Sequence, residues 1–164
     1  MFVSTVSKMK IFQFTSALFL FALTGHIAFA TQLDAKPLAE LVAMSEHIIV
    51  GHVTAVDMID TNDNPVNDDT AVTGPGSSNT IRLHIDVNSV LKTNASSVPK
   101  HLIISLWRIW NYSLGQVKAG SLGQDEIYLL KGEDFHPVYP GLFRRGIDEE
   151  ELIDIIVLKQ GFRK

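Results

Sequence analysis

Two long segments rich in β-branched residues constrain the fold of this chain more than any other feature. They cover residues 46–60 (EHIIVGHVTAVDMID) and 80–92 (TIRLHIDVNSVLK). In the second segment apolar and polar residues alternate from Ile81 to Asn88, which is the period of a strand with one buried and one wet face. We predict that both segments are long strands and that they pair with each other.

The rest of the chain supplies shorter elements. A short helix is predicted to end near Ser45, and further strands are predicted over residues 101–107 and 126–131. In residues 152–159, apolar side chains occur at both odd and even positions, which fits a strand buried on two sides or a short helix. We favour the strand. Five strands without a βαβ alternation predict a mainly-β fold, a small five-stranded antiparallel OB-like barrel with a short N-terminal helix.

Glycine and polar residues indicate how these strands are interrupted and connected. Gly51 lies between apolar neighbours inside the first strand, where glycine often indicates a bulge. Residues 60–79 form a long polar connection that we expect to bury no apolar face. Residues 115–123 are predicted to be irregular, and residues 132–149 form a second long connection that carries prolines and aromatic residues.

The first thirty residues have the pattern of a secretory signal peptide. Lys8 and Lys10 precede the apolar segment 11–23, and Ala28 and Ala30 place small residues at the positions that a signal peptidase recognises. An uncleaved membrane anchor is the alternative, which the polar residues within the segment make weaker. We therefore expect cleavage after Ala30, a single β-barrel domain over residues 31–164, no stable membrane span after cleavage, and a periplasmic or secreted location.

Composition limits the classes of function. The chain contains no cysteine, so its stability depends on core packing and not on disulfides, a combination typical of a bacterial periplasm. Cleavage removes two of the 14 basic residues and none of the 18 acidic ones, which leaves a net acidic domain. Because a phosphate backbone attracts cationic surfaces, we expect no nucleic-acid partner.

The order of the packing segments resembles that of a known family. A short helix runs into residues 45–53 (SEHIIVGHV), a strand ends with Val90-Leu91-Lys92, residues 103–106 follow, and Gly123 leads into residues 127–130 (IYLL). This pattern is similar to a family of uncharacterised exported bacterial OB-like domains, which are distantly similar to the tissue inhibitors of metalloproteinases and the netrin module. The resemblance implies a barrel fold more than a function.

The chain departs from the animal inhibitors at the residue on which their activity depends. Those inhibitors chelate the zinc of a protease through an N-terminal cysteine. Here the predicted mature terminus is Thr31, and cysteine is absent from the sequence. We therefore do not extend metalloproteinase inhibition to this chain.

Three strand residues are candidate metal ligands. If the first two strands pair in the right register, His52 faces His84, with Asp86 two residues along on the same face. Imidazole and carboxylate side chains suit zinc or copper. The alternative is ordinary solvated strand polarity, since no HExxH or similar spacing supports a metal.

A calcium site is a second cofactor alternative. Asp60, Asn62 and Asn64 imitate the start of an EF-hand loop, but Pro65 and Ala71 occupy the positions of the required Gly and Glu. A looser site is possible among the aspartates of this region, which are Asp57, Asp60, Asp63, Asp68 and Asp69. A solvated acidic loop is the simpler interpretation. We therefore predict no cofactor, with zinc or calcium as the alternative.

Aromatic and arginine side chains in two connections are the best candidates for binding. Exposed Trp, Tyr and Arg supply large rigid contact areas with a polar group, although such aromatics also close the ends of barrels. The candidate residues are Trp107, Arg108, Trp110, Tyr112, Tyr139, Phe143, Arg144 and Arg145. With no GxSxG elbow and no cysteine nucleophile, we predict a non-enzymatic exported module that binds a protein or saccharide partner. One alternative is a metal-dependent exported enzyme or metal carrier, and another is a purely structural subunit of an envelope complex that associates through apolar surfaces.

Overall fold

The structure of the chain, a computed structural model, describes residues 34–162, within a compact unit that begins at Asp34. The signal peptide expected over residues 1–30 therefore lies outside the described residues. The elements are α1 (Leu38–Met44), β1 (His47–Ile59), β2 (Thr80–Lys92), β3 (His101–Ser105), α2 (Leu114–Ser121), β4 (Asp125–Lys131), β5 (His136–Pro137), β6 (Arg144–Gly146) and α3 (Glu150–Lys159), which a 3-10 turn at Ile147–Glu149 precedes.

All of the strands belong to one antiparallel sheet. Its order is β3-β2-β1-β4-β5, and β6 also pairs with β4. The sheet curls until β3 and β5, at its two edges, contact each other, which produces a partly open barrel. The predicted mainly-β, OB-like fold is confirmed, and the two long segments are the paired strands β1 and β2.

Gly51 is required at a bulge in the centre of this sheet. The register between β1 and β2 shifts between Val50 and Gly51, as the sequence predicts. A Cβ atom at Gly51 would lie 2.3 Å from Cγ2 of Ile85 and 3.2 Å from the carbonyl oxygen of Asp86. The absence of a side chain therefore allows β1 and β2 to approach each other closely at this point.

The strand prediction for residues 152–159 is wrong, because these residues belong to α3. Ile153 and Val157, four residues apart, are buried against the core, which is helical spacing. Acidic residues in the first turn favour the helix through its dipole. The fifth and sixth strands are instead β5 and β6, two short segments inside the second long connection.

A second helix, α2, replaces the irregular segment predicted over residues 115–123. Ser113 caps it by accepting a hydrogen bond from the backbone N–H of Gln116 at 3.3 Å. Gly123, with φ of 74°, lies just beyond its end, where glycine tolerates the left-handed conformation. Leu114, Val117 and Ser121 are its buried residues.

The connection between β1 and β2 is also more embedded than its polar sequence predicts. Val66 and Ala71 pack against the core, and Thr73 is buried. Val72 forms an antiparallel bridge with Ser113, so this connection pairs with the segment that follows β3. The expectation that residues 60–79 bury no apolar face is therefore wrong.

The two ends of the described chain meet beside β2. α1 packs against α3, and the side chain of Gln160 donates a hydrogen bond to the carbonyl of Ala39 at 3.0 Å. Lys92, the last residue of β2, is buried, and its Nζ donates to the carbonyl of Val42 at 2.9 Å. The same Nζ lies 3.7 Å from the ring centre of Phe162, and burial lowers the pKa of Lys92.

Candidate functional site

Five of the eight candidate binding residues lie in the walls of two concavities that share Leu106. We call the first the α2 pocket; it has a volume of about 410 Å³. Its walls are Leu106, Tyr112, Gln116, Val117, Gly120, Ser121, Glu126, Gly141, Phe143 and Arg144. We call the second the β1–β2 groove; it has a volume of about 500 Å³. Its walls are Ile59, Asp60, Thr61, Asp63, Ser78, Thr80, Ser105, Leu106, Trp107, Arg108, His136 and Pro137.

The rim of the α2 pocket is formed where two loops meet. Trp110, in the connection from β3 to α2, lies edge-on to Tyr112 with a distance of 6.0 Å between ring centres. Trp110 also lies against Gly141 of the β5–β6 loop, where a Cβ atom would be 2.8 Å from its Cη2. Gly141 has φ of 70°, so both its backbone conformation and its close approach to the indole favour glycine.

A charged network forms the floor of the α2 pocket. The guanidinium of Arg144 donates to both carboxylate oxygens of Glu126, from Nε at 2.7 Å and from Nη2 at 2.8 Å. Nη2 also donates to Oγ of Ser121 at 3.0 Å, and the hydroxyl of Tyr128 donates to Glu126 at 3.0 Å. Burial and the neighbouring Glu126 raise the pKa of Tyr128, so this hydroxyl remains a donor. The bidentate geometry fixes both charged side chains in place.

The aromatic wall of the pocket is supported from behind by the β1–β2 connection. The hydroxyl of Thr73 donates to the carbonyl of Trp110 at 2.8 Å and accepts from the backbone N–H of Tyr112 at 3.2 Å. The backbone N–H of Thr73 in turn donates to the carbonyl of Tyr112 at 2.9 Å. Because Thr73 is buried, these bonds hold the loop that carries both aromatic residues in one conformation.

Phe143 belongs as much to the core as to the pocket. It is buried and packs against Tyr128, with 6.4 Å between ring centres. It therefore contributes an apolar surface to the base of the pocket and also closes the end of the barrel, the second role that the sequence left open for these aromatics.

The β1–β2 groove contains Trp107, the exposed one of the two tryptophans, and draws its walls from both long connections. Trp107 and Arg108 follow the end of β3, and His136 belongs to β5. The carboxylate of Asp60 accepts hydrogen bonds from the backbone amides of Asn62 and Asn64, which lower its pKa. The groove is consequently more polar and more acidic than the α2 pocket.

Trp110 packs against the α2 pocket without lining it, and Tyr139 and Arg145 line neither concavity. The ring centre of Tyr139 lies 5.4 Å from Nζ of Lys36, before α1. Arg145 forms an ion pair with Glu149, with 2.6 Å between Nη2 and Oε2. Both residues therefore make local contacts within the fold and do not join the binding residues above.

The sheet does not bring all three candidate metal ligands together. His52 lies opposite Asp86 and His84 lies opposite Ala55, so the pairing of His52 with His84 is not formed. Nδ1 of His52 lies 2.9 Å from Asp125, and Nε2 of His84 lies 3.0 Å from Asp57. Among residues 34–162, no group of three or more His, Asp or Glu side chains could hold a metal ion.

The aspartates of the calcium alternative have other contacts. Arg82 donates two hydrogen bonds to Asp57 and, with His84, lowers its pKa. Asp68 accepts from Thr70, and Asp69 accepts from Lys118. Asp57 lies in β1 and Asp68 and Asp69 lie in the connection, and each of the three has its own partner.

Four of the ten residues that line the α2 pocket lie on a helix that the sequence analysis did not predict. The α2 residues in the pocket walls are Gln116, Val117, Gly120 and Ser121. The two glycines of this segment lower its helix propensity, so the sequence pattern did not predict a helix. The detectable signal was the capping residue Ser113 ahead of Leu114 and Val117, two apolar residues at helical spacing.

The combination of features suits binding. A concavity of this volume with apolar walls and a few fixed polar groups fits a small ligand or one large side chain of a partner. In the described part of the chain, no helix is long and apolar enough to cross a membrane. Comparison with protein-family models and with curated proteins gives no match to this chain.

Proposed function

We propose that this protein is an exported, non-enzymatic binding module that engages a protein or saccharide partner through the α2 pocket. The observation that carries this proposal is the convergence of two loops and one helix on a single fixed cavity. Tyr112 and Gly141 line its rim, Trp110 packs against both of them, and the Arg144–Glu126 pair forms its floor.

The chemistry of the pocket supports a partner with an apolar group and a polar group in close proximity. Leu106, Val117 and the side of Phe143 that lines the pocket can make apolar contacts. Beside it, the amide of Gln116 and the ion pair of Glu126 and Arg144 offer hydrogen bonds. An aromatic side chain of a protein, or the apolar face of a sugar with its hydroxyl groups, has this combination.

The pocket walls are held before any ligand arrives, which favours recognition. Thr73 fixes the aromatic loop, and Glu126 and Ser121 fix Arg144. Preorganised side chains lose little conformational entropy on binding, so a small contact area can still provide useful affinity. The OB-like resemblance agrees with such a role, since barrels of this kind commonly bind ligands between their loops.

A pair of matched variants tests the proposal. Gly120 lines the pocket, and a Cβ atom there meets nothing within 4 Å, so Gly120→Phe adds a ring at the pocket from a position where the backbone has room for a side chain. Ala119→Phe adds the same ring at the adjacent exposed residue, which does not line the pocket. The chain from Thr31 onward, in these two variants and the wild type, is immobilised and used to capture exported proteins, with quantification by mass spectrometry.

We expect one or more proteins to be retained by the wild type and by Ala119→Phe but reduced at least about tenfold by Gly120→Phe, the loss produced by about 1.4 kcal/mol. An oligosaccharide array probed with the same three proteins distinguishes a saccharide partner. If neither proteins nor sugars separate Gly120→Phe from Ala119→Phe, the α2 pocket is not the binding site. A Trp107→Ala variant then tests the β1–β2 groove in the same way.

A further inference from the structure

The outer face of α3 is apolar although it faces solvent. Leu152, Ile155 and Leu158 recur every third residue and are 51%, 41% and 60% exposed. The opposite face of the helix already packs on the core through Ile153 and Val157. The exposed residues therefore form a second apolar stripe that stabilises nothing within the described part of the chain.

The charges that flank this stripe are arranged symmetrically about Ile155. Glu151 lies four residues before Ile155 and Lys159 lies four residues after it, while Leu152 and Leu158 lie three residues before and after. When the helix direction is reversed about Ile155, Glu151 takes the place of Lys159, and Leu152 takes the place of Leu158. A helix face with this property is complementary to a second copy of itself in antiparallel orientation.

These two charges have no ion-pair partner among residues 34–162. They are eight residues apart on α3, about 12 Å along the helix axis, which is too far for a contact within one helix. In an antiparallel pair, each Glu151 comes beside Lys159 of the other copy. The charges that are unpaired in one chain are then paired twice in the dimer.

We propose that the protein forms a two-fold symmetric dimer through α3, with Ile155 packed on its own copy at the axis. Leu152 of each copy packs near Leu158 of the other, and two Glu151–Lys159 ion pairs border the apolar contact. Ile147 and Phe162, which precede and follow the helix in the chain, are also exposed.

A lipid surface is a less suitable occupant of this face. The start of the helix carries four successive acidic residues, Asp148, Glu149, Glu150 and Glu151. Anionic headgroups repel such a cluster, whereas helices that lie on membranes usually carry Lys and Arg beside the apolar face. The sign of the charge therefore favours a second copy of the chain.

The size of the contact sets the expected affinity. α3 is ten residues long, about 15 Å, and one helix pair of this length buries less than the roughly 1,000 Å² of a stable interface. We expect a concentration-dependent dimer with a dissociation constant on the order of 100 µM.

Sedimentation equilibrium tests this proposal. The sample is the chain from Thr31, which contains the whole compact unit. Concentrations from about 10 µM to about 1 mM bracket the expected dissociation constant. We expect Ile155→Lys to weaken the dimer at least about tenfold, because it places two like charges at the axis. Ile103→Lys is the control, since Ile103 on β3 is 55% exposed and outside α3. Glu151→Lys and Lys159→Glu should each weaken the dimer, and the double exchange should restore it.

Restoration by the double exchange is the decisive result, because non-specific apolar association does not depend on the pairing of these two charges. Circular dichroism of each variant verifies that α3 remains folded, since the exchange opposes the helix dipole. A monomeric wild type across the whole range overturns the proposal. So does an equal effect of Ile103→Lys, or binding to phosphatidylglycerol vesicles that Ile155→Lys abolishes while the protein remains monomeric.

Discussion

Replacement of Gly51 by alanine should destabilise the protein even though it adds a single methyl group. The new Cβ atom would lie 2.3 Å from Cγ2 of Ile85, whereas carbon atoms in contact are normally about 3.5–4.0 Å apart. The two atoms must therefore separate by more than about 1 Å. Relaxation is restricted, because Gly51 is paired with Val87 on one side and with Glu126 on the other.

The magnitude follows from two opposing effects. Overpacking of a core costs about 1–3 kcal/mol, and alanine recovers about 0.5–1 kcal/mol because glycine loses more backbone entropy on folding. The net loss in the free energy of unfolding should be about 1–2 kcal/mol. For a domain of this size that is a decrease in melting temperature of roughly 3–10 °C.

Urea denaturation of the wild type and of Gly51→Ala measures this loss directly. Ile85→Leu supplies the control, because leucine lacks the Cγ2 methyl group and alone should cost less than about 1.5 kcal/mol. Gly51→Ala should cost less in the Ile85→Leu background than in the wild type. A loss below about 0.5 kcal/mol, or strictly additive effects of the two substitutions, would show that contact with Ile85 is not the reason for glycine at this position.

The remaining predictions concern the pocket and the core. Gly120→Ala, in α2 and clear of other atoms, should raise the free energy of unfolding by about 0.5–1 kcal/mol in urea titrations, unless the helix frays there. In a double-mutant cycle, the effects of Arg144→Met and Glu126→Gln on the free energy of unfolding should be coupled by about 1–2 kcal/mol, because the two half-buried side chains share two charge-assisted hydrogen bonds. Additive effects would contradict the network. Burial lowers the pKa of His47 below its ordinary value near 6.5, so the unfolded chain binds the proton more tightly and stability should fall as pH decreases through 6.5. His47→Gln should lose less stability than the wild type between neutral and acidic pH, and an equal loss would contradict the role of His47.

The alternation of residues was sufficient to predict the centre of the fold and insufficient for its periphery. β2 has one buried and one wet face, so its period of two is unmistakable and its bounds match the sequence prediction. α3 has apolar residues on both faces, because one face packs on the core and the other is exposed. When apolar residues lie on every side of an element, their spacing along the sequence does not distinguish a helix from a strand. The strand interpretation of residues 152–159 failed for this reason.

The candidate sites show the same limit at the level of register. The pairing of His52 with His84 required a regular ladder, but β1 and β2 contain three register shifts between Ile48 and Ala55. Each shift changes which residues lie opposite each other, and alternation in one strand contains no information about them. The aromatic residues were easier to identify, because Trp110 and Tyr112 are rare, large side chains in a connection, where packing of a regular element does not require them.

The contact of α1 with α3 has a consequence for the order in which the chain acquires structure. Synthesis delivers α1 first and α3 last, yet Gln160 and Phe162 complete the surroundings of α1 and Lys92. The first helix therefore cannot complete its packing until the final residues are available. Because the start and the end of the described chain lie close together, a circular permutant that joins them through a short linker should keep the barrel intact.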